Sequence, residues 1–444
     1  MTRLFGTDGV RGIANIELTP ELAFRLGEAA GHFLGDRGRG KIVIGKDTRR
    51  SGDMLEAALV AGICSGGAEA LIAGVVPTPA IAYLTRKLDA DGGVVISASH
   101  NPAEYNGIKL FSREGLKLPD ETEDQIEEFT LAERDWERPQ GAGIGSVHHL
   151  SDAIERYLAH AISTIEGDLT GMKIAVDCGH GAASVTTPVA LRELGAEVIV
   201  LNCDWNGMDI NDACGSTDLA PLGEVVRTHQ VDFGIAHDGD ADRVIAVDET
   251  GAEIDGDVIM AICASKMKER GELPHDTVVS TVMANLGFEV AMRERGITVI
   301  KTKVGDRYVL EQMQASGAVL GGEQSGHIIF MEHNTTGDGL ITALQLASAI
   351  RSSARPLSDL RQVMQHYPQV LVNVHVADKG RLGVSAAVND AIHEAEQRLG
   401  QSGRVLVRAS GTEPVVRVMA EAADEDTART VVDTLVEVVR TEFG

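Results

Sequence analysis

The sequence predicts an α/β protein built from several related domains. Short runs rich in Val and Ile alternate with helical patterns, which is typical of βαβ units. One order of elements occurs three times: a strand, an amphipathic helix, a glycine (Gly67, Gly195 or Gly296) and a second strand. Glycine suits the left-handed position that ends many helices. The 444 residues have room for two to four domains of ordinary size, so three such units and a smaller remainder fit.

Composition and charge exclude several classes of protein. Hydrophobic residues make up 43% of the chain and charged residues 24%, which excludes disorder of the whole chain. The 66 acidic and 40 basic residues give a formal net charge of -26, which argues against binding to nucleic acid or to an anionic membrane. No apolar run approaches the roughly 18 residues of a membrane span. The five cysteines form neither a CxxC pair nor a disulfide framework, so we expect a cytoplasmic protein.

Loop and turn signals divide the chain into four predicted domains. The Pro- and Gly-rich stretch 138–145 lies near the first boundary, and the turn at Asp248–Gly251 precedes a new helix at Asp255. The helix expected around Leu357–Met364 stops near Pro368, and the alternation that follows it in Val370–Val376 predicts a strand. We expect three related α/β domains with mixed sheets and a smaller C-terminal α+β domain, with boundaries at 1–152, 153–254, 255–365 and 366–444.

The segment Val94–Pro102 joins a buried strand directly to a polar loop. Pro102 biases Asn101 away from helical backbone. Ser99 and His100 are therefore expected at the carboxyl end of a strand, where α/β sheets bind their ligands. Ser99 is a candidate nucleophile or phosphate carrier. For this loop taken by itself, a turn that caps the next helix is the favoured alternative.

Three carboxylates stand at alternate positions of one polar segment: Asp238, Asp240 and Asp242. Oxygen ligands of this kind suit Mg²⁺ or Ca²⁺. An EF-hand loop is the sharpest alternative, because Glu249 falls at its twelfth position. We reject it because Arg243 stands where that loop needs glycine, and because both flanks read as strands. Carboxylates this close repel one another unless a cation intervenes, so a metal loop is preferred to a solvated acidic turn.

A polar loop between two predicted strands near the C-terminus has the chemistry of an anion site. Ser410, Gly411 and Thr412 offer successive backbone N–H groups, and Arg408 and Arg417 offer guanidinium groups. Phosphate is the expected ligand. A hairpin loop with surface arginines is the open alternative.

Three further segments carry weaker signals. Gly321–His327 presents Glu323, Ser325 and His327, which suit sugar hydroxyls and, for His327, proton transfer, although a polar loop is the favoured interpretation of this segment alone. Phe5–Gly12 and Ile44–Gly52 are rich in charge and glycine. We interpret both as loops with internal salt bridges, in particular one that involves Asp47 and Arg49.

These segments, in this order, closely resemble the α-D-phosphohexomutase superfamily from Phe5 to Arg417, which is nearly the whole chain. The resemblance to its functional loops is specific: phosphoserine loop, Ser97–Pro102; metal loop, Asp238–Arg243; phosphate-binding loop, Arg408–Pro414. Three more segments resemble the branch that interconverts glucosamine 6-phosphate and glucosamine 1-phosphate: Phe5–Gly12, Lys303–Val309 and Gly321–His327.

The resemblance implies four domains around a central cleft and an isomerase that moves a phosphoryl group within a sugar phosphate. It implies a phosphorylated Ser99, one Mg²⁺ per chain held by Ser99 and the three aspartates, and a sugar 1,6-bisphosphate intermediate or activator. Arg11 and Lys109 are expected near the transferred phosphate, although a surface lysine on a strand is the alternative for Lys109. The expected catalytic set is Ser99, His100, Arg11, Lys109 and Arg243. The expected partner is a small sugar phosphate, and a homodimer is the candidate assembly.

Other activities stay open. A phosphomannomutase or phosphoglucomutase would share nearly all of these residues. A metal-dependent sugar phosphatase would use the same Ser99 but would not need a second phosphate site, so the loop Arg408–Pro414 argues against it. A Ca²⁺-binding protein without enzymatic activity is disfavoured by Arg243 and by the strands that flank the aspartates.

Overall fold

The computed structural model describes residues 3–6, 8–35, 40–132, 136–376, 382, 385–409 and 415–443. Within these residues the strands form four sheets, of six, five, four and three strands. The first three sheets are mixed and the last is antiparallel. The predicted fold class, three α/β domains and a smaller C-terminal α+β domain, is confirmed.

The six-stranded sheet has the order β1-β5-β4-β2-β3-β6. Its strands β2, β3, β4 and β6 are parallel, while β5 and β1 complete one edge in antiparallel pairs. The interior of β2 and the whole of β4 are buried, which is typical of central parallel strands covered on both faces. The elements are β1 (Val10–Ile13), α1 (Pro20–Phe33), β2 (Lys41–Lys46), α2 (Gly52–Ser65), β3 (Glu69–Val75), α3 (Thr78–Lys87), β4 (Gly92–Ile96), β5 (Tyr105–Ser112), α4 (Asp120–Leu131) and β6 (Val147–His149).

The five-stranded sheet has the order β11-β10-β9-β7-β8, with β7, β8 and β9 parallel and β10 and β11 antiparallel. The expected turn after Asp248 joins β10 to β11 as a hairpin. The elements are α5 (Ala153–Ile162), β7 (Lys173–Asp177), α6 (Thr187–Glu193), β8 (Glu197–Leu201), α7 (Ala220–His229), β9 (Phe233–His237), β10 (Val244–Asp248) and β11 (Glu253–Ile254).

The four-stranded sheet has the order β13-β12-β14-β15, with only β15 antiparallel to its neighbour. A helix, α8, begins after Asp255 as predicted. The side chain of Asp255 caps this helix by accepting a hydrogen bond from the N–H of Val258. The elements are α8 (Gly256–Arg270), β12 (Thr277–Thr281), α9 (Leu286–Glu294), β13 (Thr298–Thr302), α10 (Asp306–Ser316), β14 (Leu320–Gly322), β15 (Ile328–Phe330), α11 (Gly339–Ser353) and α12 (Leu357–Leu360).

The C-terminal sheet has the order β16-β18-β17 and is antiparallel throughout. Helix α14 packs its apolar side on this sheet around Val432 and Leu435, both nearly inaccessible to solvent. The elements are β16 (Gln369–His375), α13 (Ala386–Leu399), β17 (Gly403–Ala409), β18 (Val415–Ala422) and α14 (Glu425–Phe443).

The repeated unit predicted from the sequence is present three times. Strands β2 and β3, β7 and β8, and β12 and β13 are parallel pairs. The glycines between them all have positive φ: 94° at Gly67, 88° at Gly195 and 65° at Gly296. The left-handed backbone expected of these glycines is therefore confirmed.

The chain divides into two compact units, Met1–Met283 with Ile297–Val363 and Ala284–Gly296 with Met364–Gly444. Helix α9 thus belongs to the second unit, although β12 and β13 on either side of it belong to the first. Contacts within the second unit explain the assignment. The buried carboxylate of Glu421 on β18 accepts a hydrogen bond from the N–H of Leu286, and Arg404 on β17 binds both Glu421 and the carbonyl of Ala284.

Among the described helices, none is both long enough and apolar enough to cross a membrane.

Candidate active site

Ser99 lies just beyond the carboxyl end of β4, as the sequence predicts. Ser99 is 1% exposed to solvent. Its backbone has φ +52°, in the left-handed region that serine rarely adopts. Its Oγ donates a hydrogen bond of 2.6 Å to Oδ2 of Asp238 and lies 3.3 Å from Nδ1 of His100. The structure therefore places this hydroxyl against a carboxylate from a different sheet.

The three aspartates lie in the turn between β9 and β10, two antiparallel strands. This arrangement confirms the rejection of the EF-hand, which needs helical flanks. All three are buried, and one carboxylate oxygen from each lies within 4.8 Å of the others. Oδ1 of Asp240 and Oδ1 of Asp242 are buried and accept no hydrogen bond from the described residues. Buried oxygens left without donors in a cluster of carboxylates fit a hard divalent cation, so this turn can bind a metal ion.

The surroundings of Asp238 and of Asp240 shift the pKa values of their carboxyl groups in opposite directions. Burial, together with the charges of Asp242 and Asp240, raises the pKa of Asp238 well above its usual range. Burial also acts on Asp240, but the ammonium of Lys109 and the hydroxyl of Thr78 hold the pKa of this carboxyl below its ordinary value. A cation at the triad would remove the repulsion that acts on Asp238.

Lys109 lies on β5 and is 3% exposed, so the alternative of a surface lysine is wrong. Its Nζ lies 2.8 Å from Oδ2 of Asp240, 3.4 Å from Oδ2 of Asp242 and 3.0 Å from Oδ2 of Asp8. Burial would lower the pKa of Lys109, but these carboxylates raise it well above the ordinary value. Lys109 is thus a fixed positive charge beside the three aspartates.

An open pocket with a volume of about 410 Å³ lies in front of these groups. It is large enough for a sugar phosphate. Arg11 and Arg243 line it together with His100. Burial, followed by the guanidinium charges of Arg243 and Arg11, lowers the pKa of His100 to about 4. The His100 imidazole is therefore neutral at pH 7, so the positive charge of the pocket wall comes from its arginines, Arg3, Arg11 and Arg243.

Another part of the pocket wall contains two of the three predicted sugar-binding residues. Glu323 lines it and accepts a hydrogen bond of 3.1 Å from the N–H of Gly305. His327 also lines it, and both of its ring nitrogens are buried without a hydrogen-bond partner among the described residues. Ser325 is exposed and is not among the residues that line this pocket.

Three charged residues of this site were not assigned a role from the sequence. Asp8 and Asp306 lie in segments that had been singled out, Phe5–Gly12 and Lys303–Val309, whereas Lys117 had no signal. Nζ of Lys117 lies 2.5 Å from Oδ1 of Asp8 and also contacts Oδ2 of Asp306. Burial would raise the pKa of Asp8, but Lys109, Lys117 and Arg11 hold it well below its usual range. Lys117 therefore forms ion pairs with both Asp8, which also contacts Lys109, and Asp306. Asp306 in turn lies 3.6 Å from Nε2 of His327 in the pocket wall.

The predicted phosphate loop is described only in part. Ser410, Gly411 and Thr412 lie outside the described residues. Arg408 on β17 and Arg417 on β18 are direct cross-strand partners, so their side chains share one face of the C-terminal sheet. Burial and the charge of Arg417 lower the pKa of Arg408 from its ordinary value. Two guanidinium groups placed opposite each other repel, and an anion bound between them would relieve that repulsion.

Comparison with known protein families identifies the class of protein. Four family models match in order along the chain, all described as domains of phosphoglucomutase/phosphomannomutase: α/β/α domain I at residues 2–136, domain II at 153–251, domain III at 255–367 and the C-terminal domain at 371–438. The chain belongs to this family, whose enzymes transfer a phosphoryl group within a sugar phosphate and are isomerases.

Curated relatives specify the branch of that family. A phosphoglucosamine mutase of Symbiobacterium thermophilum is 55% identical over 447 aligned residues and covers all of both chains. A phosphoglucosamine mutase of Desulforamulus reducens is 54% identical over 99% of each chain. This similarity over the full length assigns the chain to the phosphoglucosamine mutases within the family.

Solved structures agree on the fold. A phosphoglucomutase/phosphomannomutase family protein from Burkholderia thailandensis has a TM-score of 0.83 at 23% identity, over 99% of this chain and 98% of that one. An N-acetylphosphoglucosamine mutase from Aspergillus fumigatus, solved in complex with GlcNAc-6P and magnesium, has a TM-score of 0.69 at 18% identity, over 99% and 95%.

Proposed function

We propose that this enzyme interconverts glucosamine 6-phosphate and glucosamine 1-phosphate through a phosphorylated Ser99 and a glucosamine 1,6-bisphosphate intermediate. The product would feed the synthesis of UDP-N-acetylglucosamine and of cell-wall precursors. The observation that carries the proposal is the 2.6 Å hydrogen bond between Oγ of Ser99 and Asp238, at the edge of a pocket lined by Arg11 and Arg243. A buried hydroxyl beside a carboxylate cluster and two guanidinium groups has the surroundings that a phosphoryl group requires.

Asp238, Asp240 and Asp242, with an oxygen of phosphorylated Ser99, would hold one Mg²⁺ per chain. Oxygen donors and the buried oxygens without hydrogen-bond donors support Mg²⁺ over a soft metal. When bound, the ion supplies positive charge against the transferred phosphoryl group. The mutase of Aspergillus fumigatus was solved with magnesium, which is consistent with this choice.

The chain's own cations complete the charge balance around Ser99. Arg11 and Arg243 would bind the equatorial oxygens of the transferred phosphoryl group, and Lys109, which shares Oδ2 of Asp8 with Arg11, would add a further positive charge. Neutral His100, 3.3 Å from Oγ of Ser99, would hydrogen-bond that oxygen without adding charge. Catalysis then consists mainly of positioning and of electrostatic stabilisation, as is usual for phosphoryl transfer.

The sugar would lie between Ser99 and the wall formed by Glu323 and His327. The carboxylate of Glu323 can accept hydrogen bonds from sugar hydroxyl groups, and the imidazole of His327 can take the proton that a reacting hydroxyl releases. Ser325 does not line the pocket in this structure, so its predicted contact with the sugar requires a change in the loop that carries it.

Arg408 and Arg417, with Ser410, Gly411 and Thr412, would bind the phosphate that is not being transferred. The cross-strand arginine pair supports this role. A mutase has to retain the bisphosphate while it turns over between two orientations, so a second phosphate site has a purpose here that it lacks in a phosphatase. A phosphomannomutase or phosphoglucomutase activity stays the alternative, disfavoured by the identity to phosphoglucosamine mutases over the full length.

Three further properties are part of the proposal. The domain boundaries 1–152, 153–254, 255–365 and 366–444 are supported by the ranges of the four family models. The five cysteines are free thiols, as expected for the cytoplasm, where we place the enzyme. The homodimer stays a prediction from the resemblance.

The decisive experiment combines Ser99→Ala with mapping of the phosphorylated residue. Intact mass spectrometry of the wild-type protein should show one phosphoryl group, at Ser99, and the variant should lose nearly all mutase activity while its thermal unfolding is unchanged. Glucosamine, mannose and glucose 6-phosphates assayed side by side should rank glucosamine first. Turnover near the wild-type level in Ser99→Ala, or a phosphoryl group only at Ser97, would overturn the assignment.

A further inference from the structure

The backbone around Ser99 is held by the side chain of Arg49, which lies between β2 and α2 and is fully buried. One of its terminal nitrogens donates to the carbonyls of Ser99, at 2.9 Å, and Asn101, at 2.7 Å. The other donates to the carbonyl of Tyr105, at 3.1 Å, and to that of Pro102. A single guanidinium group therefore binds four carbonyls of the loop that carries the proposed phosphoserine.

Arg49 is itself fixed by Asp47. Nε of Arg49 donates to Oδ2 of Asp47 at 2.9 Å, and the N–H of Arg49 donates to Oδ1 at 2.9 Å. The internal salt bridge expected from the sequence is thus confirmed. Asp47 also accepts a hydrogen bond of 2.6 Å from Oγ of Ser97, which in turn accepts one of 2.9 Å from the N–H of Ser99. The loop is therefore held by a hydrogen bond from the N–H of Ser99 as well as by the hydrogen bonds to its carbonyls.

Asn211, on the connection between β8 and α7, binds two of the same carbonyls. Its Nδ2 donates to the carbonyl of Ser99 at 2.9 Å and to that of Asn101 at 3.1 Å. Asn211 has φ +60°, a conformation that asparagine tolerates better than most residues. The carbonyl of Ser99 therefore accepts hydrogen bonds from two side chains that reach it from the connections of two different sheets.

This arrangement has a physical purpose at Ser99. Left-handed backbone is unfavourable for serine, so the φ of +52° persists only where the surroundings enforce it. The direction of the Ser99 carbonyl and the direction of its side chain are coupled through the backbone, so contacts that fix the carbonyl also fix Oγ opposite Asp238. All of these contacts involve backbone atoms, so esterification of Oγ leaves them intact.

We propose that Arg49 and Asn211 are positioning residues for phosphoryl transfer, which act by fixing the backbone of Ser99. The inference rests on the proposed function, in which Ser99 carries the phosphoryl group. Neither residue lines the pocket in front of Ser99. Their loss therefore slows the transfer of the phosphoryl group and leaves the affinity for the sugar phosphate nearly unchanged.

Two variants test this positioning role, and each keeps the local chemistry where possible. Arg49→Lys retains the positive charge beside Asp47 but cannot bind four carbonyls. Asn211→Gly removes the amide donor and still permits positive φ. The neighbouring Arg50→Lys is the matched control, because Arg50 is exposed and its side chain forms no hydrogen bond or ion pair within the described residues.

The main measurement is the single-turnover rate at which glucose 1,6-bisphosphate phosphorylates the dephosphorylated enzyme, followed by intact mass. We expect Arg49→Lys and Asn211→Gly each to lower this rate about 10- to 100-fold. The KM for glucosamine 6-phosphate should stay within about twofold of wild type. Arg50→Lys should match wild type in both. A purely structural role would lower the midpoint of thermal unfolding without this separation of rate from KM.

The outcomes separate the two proposals. If wild-type Ser99 accepts no phosphoryl group, the proposed function fails, whatever the variants do. If wild-type Ser99 is phosphorylated and the folded variants are phosphorylated at the wild-type rate, the positioning role of Arg49 and Asn211 is overturned. Should Arg49→Lys fail to fold, Asn211→Gly, which removes no charge, decides the question alone.

Discussion

Nζ of Lys109 lies 2.8 Å from Oδ2 of Asp240, although the two residues are 131 positions apart in the chain. Lys109 therefore neutralises part of the charge of the carboxylates that we propose as magnesium ligands. An ammonium group and a divalent cation that face the same oxygens compete for them.

We expect Lys109→Met to lower activity at least about 100-fold, because a fixed charge at the transferred phosphoryl group is lost. We also expect Mg²⁺ to raise the thermal unfolding midpoint more in this variant than in wild type, since the carboxylates lose their internal counterion. Differential scanning fluorimetry with and without Mg²⁺ measures this shift. Equal shifts in the two proteins would contradict the competition.

Asp240→Asn should lower magnesium affinity and activity together. An amide keeps the shape of the side chain but removes one negative charge that faces the cation. Titration of activity with Mg²⁺ after treatment with a chelator measures the affinity. The control is Asp53→Asn on the surface of α2, which changes the net charge of the protein by the same amount as Asp240→Asn. If activity is indifferent both to the chelator and to Asp240→Asn, the metal site is wrong.

Lys117→Met should destabilise the first compact unit by about 3–5 kcal/mol, because Asp8 and Asp306 lose the buried cation between them. Adding Asp306→Asn should recover part of that loss, since Asp306 is the carboxylate left without its lysine, whereas Asp8 keeps Lys109 and Arg11. Urea unfolding gives the free energies, with the exposed Lys87→Met as the control. A double variant no more stable than Lys117→Met would mean that the carboxylates do not depend on Lys117.

Arg408→Ala and Arg417→Ala should each weaken binding of the non-transferred phosphate about 10- to 100-fold, the cost of a lost charge-assisted hydrogen bond. KM should rise, and free glucosamine 1,6-bisphosphate should accumulate during turnover because the intermediate escapes. Steady-state kinetics with detection of released bisphosphate measures both effects, and Arg429→Ala on the surface of α14 is the control. An unchanged KM without leakage would remove the main argument against a phosphatase.

Glu123 on α4 should make stability depend on pH. Burial raises its pKa from 4.5 to about 7, although Arg307 and Arg3 oppose the shift. The folded state therefore holds the proton more tightly than the unfolded state, so its contribution to stability is complete below pH 4.5 and is lost as the pH rises through 7. Glu123→Gln should match wild type at pH 4 and exceed it at pH 8, by at most about 3 kcal/mol. Thermal unfolding midpoints across this range test the sign, and a variant less stable than wild type at pH 8 would reverse it.

The sequence predicted the parts of this molecule that depend on contiguous residues. Ser99 and the aspartate turn were found because each motif is continuous and each follows the carboxyl end of a strand, where α/β sheets bind their ligands. Lys117 could not be found in this way, because its partners Asp8 and Asp306 are 109 and 189 positions away and no pattern surrounds it.

The directions in which side chains point were also not predicted from the sequence. Glu323, Ser325 and His327 were all expected to suit sugar hydroxyls, but the chain turns here, with φ +88° at Gly326, and Ser325 is exposed. For Arg49 the sequence predicted the salt bridge with a residue two positions away. It did not predict the carbonyls 50 to 56 positions away that the same guanidinium group binds.

The assignment of helix α9 to the second compact unit affects how this protein can be divided. The chain passes between the two units three times, after Met283, Gly296 and Val363. A gene fragment that begins at residue 364 would leave Arg404 and Glu421 without the backbone groups of Ala284 and Leu286 that they bind. The C-terminal unit is therefore not a portable module. A chimera that exchanges it with a relative has to transplant residues 284–296 together with it.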